Sequence, residues 1–192
     1  FKIILFNNPH NPCGSILNLD DLIKIDKLTQ PLNTLLLWDE VYDLLVYDGI
    51  KHTSALMFDS LMERSIVVYS MGKTLHNTGW KIGYTVAREY LTNEIRKLHQ
   101  FTVFSVNTPS QMAIARFMKN EPKFFTELAT FYQNKRDYFT SLLNGSQFRI
   151  YPTAGSYFAL ADYSRVLNCP DEEMAQLLAR EYKVAAIPIS AF

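Results

Sequence analysis

The chain has 192 residues, of which 48% are hydrophobic, so it is long enough to bury one large core or two small ones and is expected to fold as a globular protein. Its 19 basic and 19 acidic residues cancel, and this balance excludes the strongly basic surface with which proteins bind nucleic acids or anionic membranes. No apolar run reaches the length of a transmembrane helix, and the first residues do not resemble a signal peptide, so we expect a cytoplasmic protein.

The cysteines and histidines give no indication of a metal site. Cys13 and Cys169 lie far apart in the sequence, and the four histidines form no tight cluster. The two cysteines could form one disulfide, but two free thiols are favoured for a protein in a reducing cytoplasm. We therefore predict no bound metal.

The two ends of the chain are typical of a piece of a longer protein. The chain opens without Met in the apolar run 3–6, and it stops in the extended segment 187–192 without a closing turn or a polar tail. We hypothesise that the gene product is longer. The intact mass of that product would contradict the hypothesis if it matched these residues alone.

The first predicted strand, residues 1–6, is followed by a polar loop. Residues 7–14 read NNPHNPCG, and the two X-Pro steps exclude a helix there. Because Asn-Pro-x-Gly is also a common turn, Asn11 is either a plain turn residue or a polar group presented at the end of a strand. A helix is predicted over residues 19–29, with Asn18 or Asp20 as its cap.

The second predicted strand, residues 34–38, is followed directly by an acidic residue. Its continuous apolar run is typical of a strand that is buried on both faces. Asp39 follows directly, and Tyr42 comes three residues later. A buried carboxylate is costly unless it meets a cation or several donors, so a positive partner is expected for Asp39. The alternative is that Asp39 caps the next turn while the hydroxyl of Tyr42 stays in water.

The third predicted strand, residues 66–69, is followed by the lysine-bearing turn 70–74, which reads SMGKT. A nucleotide-binding loop can also end in Gly-Lys-Thr, but it needs another glycine five residues before Gly72, where this chain has Val67. We therefore interpret Lys73 as a lysine held at a strand end, a place where its amine can form a Schiff base.

The next segments are predicted as one strand and three helices. The strand covers residues 82–87, and the helices cover residues 89–101, 109–120 and 122–143. Thr108 is predicted as the N-cap of the second helix, with Gln111 reaching back as its capping-box partner. Aromatic side chains at helical spacing, as in the third helix, are expected to be core packing.

Beyond Gly145 the pattern changes to a strand-strand-helix-strand unit. Strands are predicted over residues 148–151, 157–160 and 184–189, and a helix over residues 171–182. We place a domain boundary at Gly145. Residues 1–145, which include the connecting helix, form one partial domain, and residues 146–192 form part of a second.

Each polar group singled out so far follows a predicted strand. Asn11 follows the first strand, and Asp39 and Tyr42 follow the second. Ser70 and Lys73 follow the third. The carboxyl ends of parallel strands gather along one edge of an open α/β sheet, which is where such folds bind ligands. The sequence therefore predicts an α/β fold with one shared cleft, without identifying the ligand.

The spacing of Ser70, Lys73, Gly79 and Lys81 resembles the cofactor-lysine segment of the fold-type I pyridoxal-phosphate-dependent aminotransferases of class I/II. The Gly-Trp-Lys form at residues 79–81 is similar to that of the kynurenine and methionine aminotransferase groups. The resemblance extends over the whole chain. It implies a partial large domain, with a mostly parallel sheet and flanking helices, followed by the start of a small α+β C-terminal domain.

The resemblance also implies roles for the polar residues. Lys73 would be the catalytic lysine that forms a Schiff base with pyridoxal 5'-phosphate, and Asp39 would pair with the pyridinium nitrogen. Asn11 and Tyr42 would donate to the ring oxygen, and Asn11 would also help to position the substrate carboxylate.

Ser70 and Lys81 would hold the cofactor phosphate. Many aminotransferases have Arg at the place of Lys81, so this chain replaces a bidentate donor by a point charge, as the Gly-Trp-Lys group does. The family's N-terminal aromatic residue over the cofactor and its C-terminal arginine for the substrate carboxylate have no counterpart in this chain.

The implied function is transfer of an amino group from an aromatic or sulfur-containing L-amino acid to a 2-oxo acid by a homodimer. The closest alternative chemistry is a pyridoxal-phosphate-dependent β-elimination of cysteine conjugates, which uses the same residues. An alternative of another class is a regulator whose aminotransferase-like domain only senses a ligand. A third is a plain α/β scaffold, which leaves the joint presence of these polar residues unexplained.

Overall fold

The computed structural model describes residues 2–192 and contains two β-sheets. The larger sheet has four strands in the spatial order β1-β2-β3-β4, namely β1 (Ile3–Asn7), β2 (Leu35–Asp39), β3 (Ser65–Ser70) and β4 (Gly83–Ala87). The first three strands are parallel and β4 is antiparallel to β3. The predicted α/β fold with a mostly parallel sheet is confirmed. The predicted first strand also included Phe1, which lies outside the described residues.

Seven helices accompany this sheet within residues 2–192. They are α1 (Leu19–Thr29), α2 (Asp59–Met62), α3 (Met71–Thr74), α4 (Glu89–Thr102), α5 (Thr108–Asn120), α6 (Pro122–Leu142) and α7 (Asp171–Glu181). The helices predicted over residues 89–101, 109–120, 122–143 and 171–182 correspond to α4, α5, α6 and α7. Their ends are confirmed to within one or two residues. No helix in this described part is both long enough and apolar enough to cross a membrane.

The start of α1 is fixed by a complete capping box. The side-chain oxygen of Asn18 accepts a hydrogen bond from the backbone N–H of Asp21 at 3.1 Å, and the carboxylate of Asp21 accepts one from the N–H of Asn18 at 3.0 Å. Two of the otherwise unsatisfied N–H groups at the helix start are thereby paired. Asn18, one of the two predicted caps, is therefore the N-cap, and Asp20 lies inside the first turn.

The start of α5 corrects the sequence prediction. Asn107, not Thr108, is the N-cap, and its side-chain oxygen accepts a hydrogen bond from the N–H of Ser110 at 2.9 Å. Gln111 does not close a capping box, because its amide donates to the carbonyl of Val106 at 3.0 Å. An Asn amide oxygen is among the best acceptors at this position, so the cap forms one residue earlier than Thr108.

One face of the larger sheet carries the main core. Leu36, Trp38 and Val67 are buried on this face and pack with Leu22 of α1 and with Leu61. A second buried cluster is formed by Tyr42, Leu45, Tyr47 and Leu128, the last of which comes from α6. The long helix is therefore packed onto the loop that follows β2.

The opposite face of the sheet is largely open. Ile3 and Leu5 of β1 are 60% and 62% exposed, and Leu35 and Leu37 of β2 are only partly buried. The prediction that the second strand is buried on both faces is wrong for the described chain. A run of apolar residues indicates that both faces of a strand can be buried. Each face is buried only where another element packs against it.

The aromatic stripe of α6 is likewise only partly core. Leu128 is 2% exposed, whereas Tyr138 and Leu142 are 67% and 63% exposed. The prediction that this stripe is core packing is therefore wrong for the second half of the helix. Helical spacing gives the face on which the side chains lie, and the partner of that face decides whether they are buried.

The segment after Gly145 differs most from the prediction. β5 (Arg149–Ile150) pairs with β6 (Ala161–Asp162), whereas residues 157–160 do not form the predicted strand. Residues 184–189 do not form one either, and the chain ends in the short 3₁₀ helix Ile189–Ala191. Residues 153–156, directly before the predicted strand, bond instead to the larger unit through their backbone groups, and this bonding fixes the path of the chain into residues 157–160.

Arg136 of α6 fastens this segment in place. Its guanidinium binds both carboxylate oxygens of Asp48 at 2.7 and 2.8 Å and donates to the carbonyl of Thr153 at 2.9 Å. Its guanidinium carbon also lies 4.9 Å from the ring centroid of Tyr47. The hydroxyl of Tyr47 donates to the carbonyl of Ser156. Residues on both sides of the predicted boundary at Gly145 are thus joined; the boundary itself stays a prediction.

Arg64, which directly precedes β3, joins α1 to the larger sheet on the face that carries the main core. Its guanidinium binds Asp26 at 2.6 Å and donates to the hydroxyl of Thr29 at 3.1 Å and to the carbonyl of Thr34 at 2.9 Å. The side chain is almost fully buried. Removing one partner of such a pair leaves an uncompensated charge.

We predict that Arg64→Ala lowers the free energy of unfolding by about 3 to 5 kcal/mol, because the carboxylate of Asp26 loses its cationic partner and keeps only the hydroxyl of Ser60. Chemical denaturation checks this value. Arg96→Ala, at an exposed position of α4, is the matched control and should change the free energy by less than about 0.5 kcal/mol. Equal effects of both variants would contradict the assigned role.

Candidate active site

The carboxyl ends of the three parallel strands lie side by side. Asn7 is in register with Asp39, and Asp39 is in register with Val68, two residues before Ser70 ends β3. The backbone carbonyl of Asp39 accepts from the N–H of Asn8 and from the side chain of Asn7, both at 3.0 Å. The predicted gathering of the strand ends at one edge is therefore found.

Asn7 and Asn8 shape the loop that carries Asn11. The side-chain oxygen of Asn7 accepts from the N–H of Asn11 at 2.6 Å. Asn8 is buried, donates to the carbonyl of Thr53 at 3.0 Å and accepts from the N–H of Leu17 at 2.8 Å. Sequence reasoning did not single out either asparagine, although their place directly after a strand was a usable signal.

Gly14 allows the C-terminal segment to close on this loop. Its φ is +67°, and a Cβ at this residue would lie 2.5 Å from Cγ2 of Thr153 and 2.8 Å from the carbonyl oxygen of Gly155. Its own carbonyl accepts from the N–H groups of Ala154 and Gly155 at 3.0 and 2.9 Å. A side chain here would be strained and would push the two segments apart.

Lys73 lies at the end of β3, at this edge of the sheet, and its amine is unpaired among the described residues. It lies on α3, a single helical turn directly after β3, where the sequence predicted a turn. Its Nζ is 6.0 Å from the ring centroid of Tyr42. Among residues 2–192, the amine forms no ion pair or hydrogen bond with another side chain. A lysine without such a partner is available for reaction with a ligand.

Asp39 supplies the negative charge opposite Lys73. Burial raises the pKa of its carboxyl above the usual range, while the N–H of Val41, at 3.3 Å, and the charge of Lys73 act to lower it. Among residues 2–192 the carboxylate of Asp39 forms no ion pair, and the charge of Lys73 acts on it from beyond contact distance, so its positive partner stays a prediction. A carboxylate held in this way can accept a proton-bearing cationic group of a ligand.

The hydroxyl of Tyr42 and the side-chain oxygen of Asn11 are buried and have no hydrogen-bond partner among the described residues. Burial is the main cause that raises the pKa of the Tyr42 phenol, and the nearby phenol of Tyr157 raises it further. A buried polar group without a partner is costly, so both atoms are suited to a ligand. A half-turn of the Asn11 amide would place its NH₂ where its oxygen is.

Ser70 and Lys81 meet at the corner between β3 and β4. Ser70 is paired with Gly83, and the N–H of Met71 donates to the carbonyl of Ile82 at 3.0 Å. Lys81 has a φ of +54°, and its side chain is exposed. The backbone therefore brings a hydroxyl-bearing and an ammonium-bearing residue to the same corner, which is a suitable pair for a phosphate.

Glu40, directly after β2, is a second acidic residue at this strand end, and the sequence analysis did not assign it to the site. Its carboxylate is fully buried and contacts His52 and Tyr69 at 3.0 and 2.9 Å. Asp43 lies close by, and burial raises the pKa of Asp43 to about 6, with His52 opposing and Glu40 adding to this shift. The end of β2 and the loop after it therefore carry three carboxyl groups in a poorly solvated place, namely those of Asp39, Glu40 and Asp43.

An aromatic wall borders the site on the side of α6. The ring of Tyr157 lies edge-on to Tyr42 at 5.1 Å between centroids and 5.8 Å from the ring of Tyr132. Phe158 adds a further edge contact to Tyr42 at 6.3 Å. Sequence reasoning did not assign these side chains to the site, since residues 157–160 were predicted as a strand of a separate unit.

The family model for aminotransferases of class I and II matches residues 1–192 of the chain. The methionine aminotransferase of Escherichia coli (strain K12) is 41% identical over 191 residues, which cover 100% of this chain and 50% of that protein. The human kynurenine–oxoglutarate transaminase 3 is 33% identical over 207 residues and is covered to 46%. The chain thus spans about half the length of these relatives.

Solved structures show the same fold. The crystal structure of an E. coli protein with a methionine aminotransferase function matches with a TM-score of 0.95 and 40% identity, over 99% of this chain and 50% of that one. The N-succinyldiaminopimelate aminotransferase of Mycobacterium tuberculosis matches with a TM-score of 0.93 and 30% identity, with the same coverage.

We predict that the raised pKa of Asp43 makes the folded state lose stability as the pH rises from about 4 to about 6. The folded state binds the proton of Asp43 more tightly than the unfolded chain, whose carboxyl titrates near 3.8, so deprotonation favours unfolding. The loss is about 3 kcal/mol at most, since one pKa unit corresponds to about 1.4 kcal/mol. Denaturant unfolding measured across this pH range tests the sign.

Asp43→Asn is the variant for this test and should remove that part of the pH dependence, leaving it more stable than the wild type above pH 6. Asp59→Asn is the control, because the side chain of Asp59 is 99% exposed. Parallel pH curves for the wild type and Asp43→Asn would show that Asp43 does not have the raised pKa.

Proposed function

Because this chain belongs to the aminotransferase class I and II family, we propose that it is the cofactor-binding part of a pyridoxal-phosphate-dependent aminotransferase. The observation that carries the proposal is the free amine of Lys73, next to the ring of the unpartnered Tyr42 and influenced by the charge of Asp39. Pyridoxal phosphate, when bound, supplies an aldehyde that links to amines and a pyridinium ring that withdraws electrons.

The residues at the strand ends fit the parts of this cofactor. Lys73 would be the point of covalent attachment, and Asp39 would hold the proton of the ring nitrogen. Tyr42 would donate its unpartnered hydroxyl to the ring oxygen, and Asn11, after the half-turn of its amide, would donate its NH₂ group to the same oxygen. The phosphate would lie at the corner described above, held by its hydroxyl and its ammonium group.

Lys73 would also move the proton in the reaction. Its amine has no competing ion pair in the described part of the chain, so it can accept a proton from the Cα of an amino acid and return it. Asp39 would keep the ring nitrogen of the cofactor protonated, and the positive ring, not the carboxylate itself, would withdraw the negative charge that this transfer leaves on the substrate. Asn11 would orient the substrate carboxylate with its amide.

The proposed substrates are an aromatic or sulfur-containing L-amino acid and a 2-oxo acid. The relatives named for methionine and kynurenine support this class, at 41% and 33% identity. The wall formed by Tyr157, Tyr132 and Phe158 also supports it, because aromatic rings and thioethers pack well against aromatic faces.

We also propose that the whole protein is longer and forms a cytoplasmic homodimer, in which residues 1–145 belong to the large domain and residues 146–192 to the small one. The half-length match to the relatives supports a longer protein. Phe101 and Phe104, which are 87% and 77% exposed, support burial of this surface in a larger assembly.

We predict that borohydride treatment in the presence of pyridoxal phosphate places a stable pyridoxyl group on Lys73, which peptide mass mapping would locate. Lys73→Ala should abolish this adduct, whereas Lys97→Ala, on the exposed side of α4, should leave it unchanged. If this chain gives no adduct, the same test on the longer gene product decides. An adduct there means that the chain lacks parts of the site, and none means that the proposed role of Lys73 is wrong.

Product analysis separates the aminotransferase from its nearest chemical alternative. With methionine or kynurenine and a 2-oxo acid acceptor, the amino group should appear on the acceptor. Release of ammonia and pyruvate from a cysteine conjugate without an acceptor would instead show β-elimination as the main activity.

We predict that Tyr42→Phe raises the dissociation constant for pyridoxal phosphate about ten- to a hundredfold, because a hydrogen bond to a charged oxygen contributes about 1.5 to 3 kcal/mol. The cofactor-free protein should be as stable as the wild type or more stable by about 1 kcal/mol, since an unpartnered buried hydroxyl is removed. Fluorescence titration and denaturation measure the two effects. Tyr138→Phe, at an exposed position, is the control; a loss of stability without a loss of affinity would count against the role of Tyr42.

A further inference from the structure

Glu40 is a fully buried carboxylate with three donors around it. Its Oε1 accepts from the N–H of Ala55 at 3.0 Å, and its Oε2 accepts from the hydroxyl of Tyr69 at 2.9 Å and contacts Nε2 of His52 at 3.0 Å. A buried charge of this kind adds little to stability beyond what a well-packed apolar side chain would add, because its desolvation is costly. Its value lies in the geometry that it fixes.

The three donors come from two different segments. His52 and Ala55 belong to the connection between β2 and β3, and Tyr69 is in β3, directly before Ser70. The N–H of Glu40 also donates to the carbonyl of Val68 at 3.0 Å, so the pairing of β2 with β3 continues one residue past Asp39. The carboxylate thus joins the residue after Asp39 to the residue before Ser70.

Glu40 also begins the turn that carries Tyr42. Its carbonyl accepts from the N–H of Asp43 at 3.0 Å, and the carbonyl of Tyr42 accepts from the N–H of Leu45 at 2.8 Å. Asp39 and Glu40 are consecutive residues at a strand end, where successive side chains point to opposite sides. A shift of Glu40 therefore moves the backbone of both Asp39 and Tyr42.

Tyr69 extends the connection to the fourth strand. Its ring stacks on that of Tyr84 with 4.9 Å between centroids, and the two residues are in register across β3 and β4. Tyr84 lies three residues after Lys81. The carboxylate of Glu40, directly after β2, is therefore linked through contacting side chains to β3 and β4. Of the four strands with a proposed cofactor group near one end, β1 is the one that these contacts do not reach.

We propose that Glu40 is a positioning residue for the cofactor, with Tyr69 and His52 as its partners. It fixes the spacing between Asp39 and Tyr42 on one strand end and Ser70 on the next. The inference rests on the proposed function, because these groups matter together only if one ligand spans them. Glu40 touches none of the reacting atoms in this role.

Glu40→Gln tests the proposal with little change of shape. The amide oxygen can still accept from Ala55, but the NH₂ group, which can only donate, then faces Tyr69 and His52. The negative charge is lost, and the hydrogen bonds to both partners have to reverse their direction. In the protein that carries this chain, we expect the dissociation constant for pyridoxal phosphate to rise at least about tenfold. We also expect the pH midpoint of the absorbance of the lysine-bound cofactor to shift. Glu94→Gln, exposed on α4, is the matched control.

Tyr69→Phe keeps the test open if Glu40→Gln does not fold, because it removes one hydrogen bond and keeps the stacked ring. It should reproduce part of the loss of affinity, and the double variant should lose less than the sum of the two single losses. Unchanged cofactor affinity and absorbance midpoint in both variants, with or without a lower melting temperature, would show a merely structural role and overturn the inference. Failure of the wild type to bind the cofactor would instead overturn the proposed function.

Discussion

The parallel pairing of three strands is the constraint on which the site depends. Strands that run in the same direction end at the same edge, so Asn7, Asp39 and Ser70 come together although 63 residues separate the first from the last. Where the strands end, the ladder of hydrogen bonds between them also ends, and the backbone groups there need other partners. Asn7 and Asn8 satisfy the carbonyl of Asp39, and that bonding sets the path of the loop that presents Asn11.

The edge is an unfavourable place for several of the side chains that it holds. Tyr42 and Asn11 bury polar atoms without partners, and burial raises the pKa of both Asp39 and Asp43. Such features reduce the stability of a protein by itself and are typical of places that are completed by a ligand. Lys73 fits this description, since its amine lies near an acid and an aromatic ring without being paired to another side chain.

The segment after α6 completes the wall of the site. Gly14 leaves the space for Thr153, and Arg136 and Tyr47 bind the backbone of the same segment. As a result Tyr157 and Phe158 reach the ring of Tyr42. Residues after the predicted domain boundary therefore contact residues before it, and Tyr157 and Phe158 lie beside the candidate site.

The sequence by itself determined the strands of the larger sheet, the main helices and the strand-end positions of Asn11, Asp39, Ser70 and Lys73, because hydrophobic period and turn residues are local properties. It also supplied the family, since several spaced motifs agree. Only the tertiary structure decided what covers each apolar face, that Asn107 caps α5, that Tyr157 and Phe158 border the site instead of forming a strand, and that Glu40 joins two strand ends. These outcomes depend on contacts between residues far apart in the chain, whose energies no local pattern records.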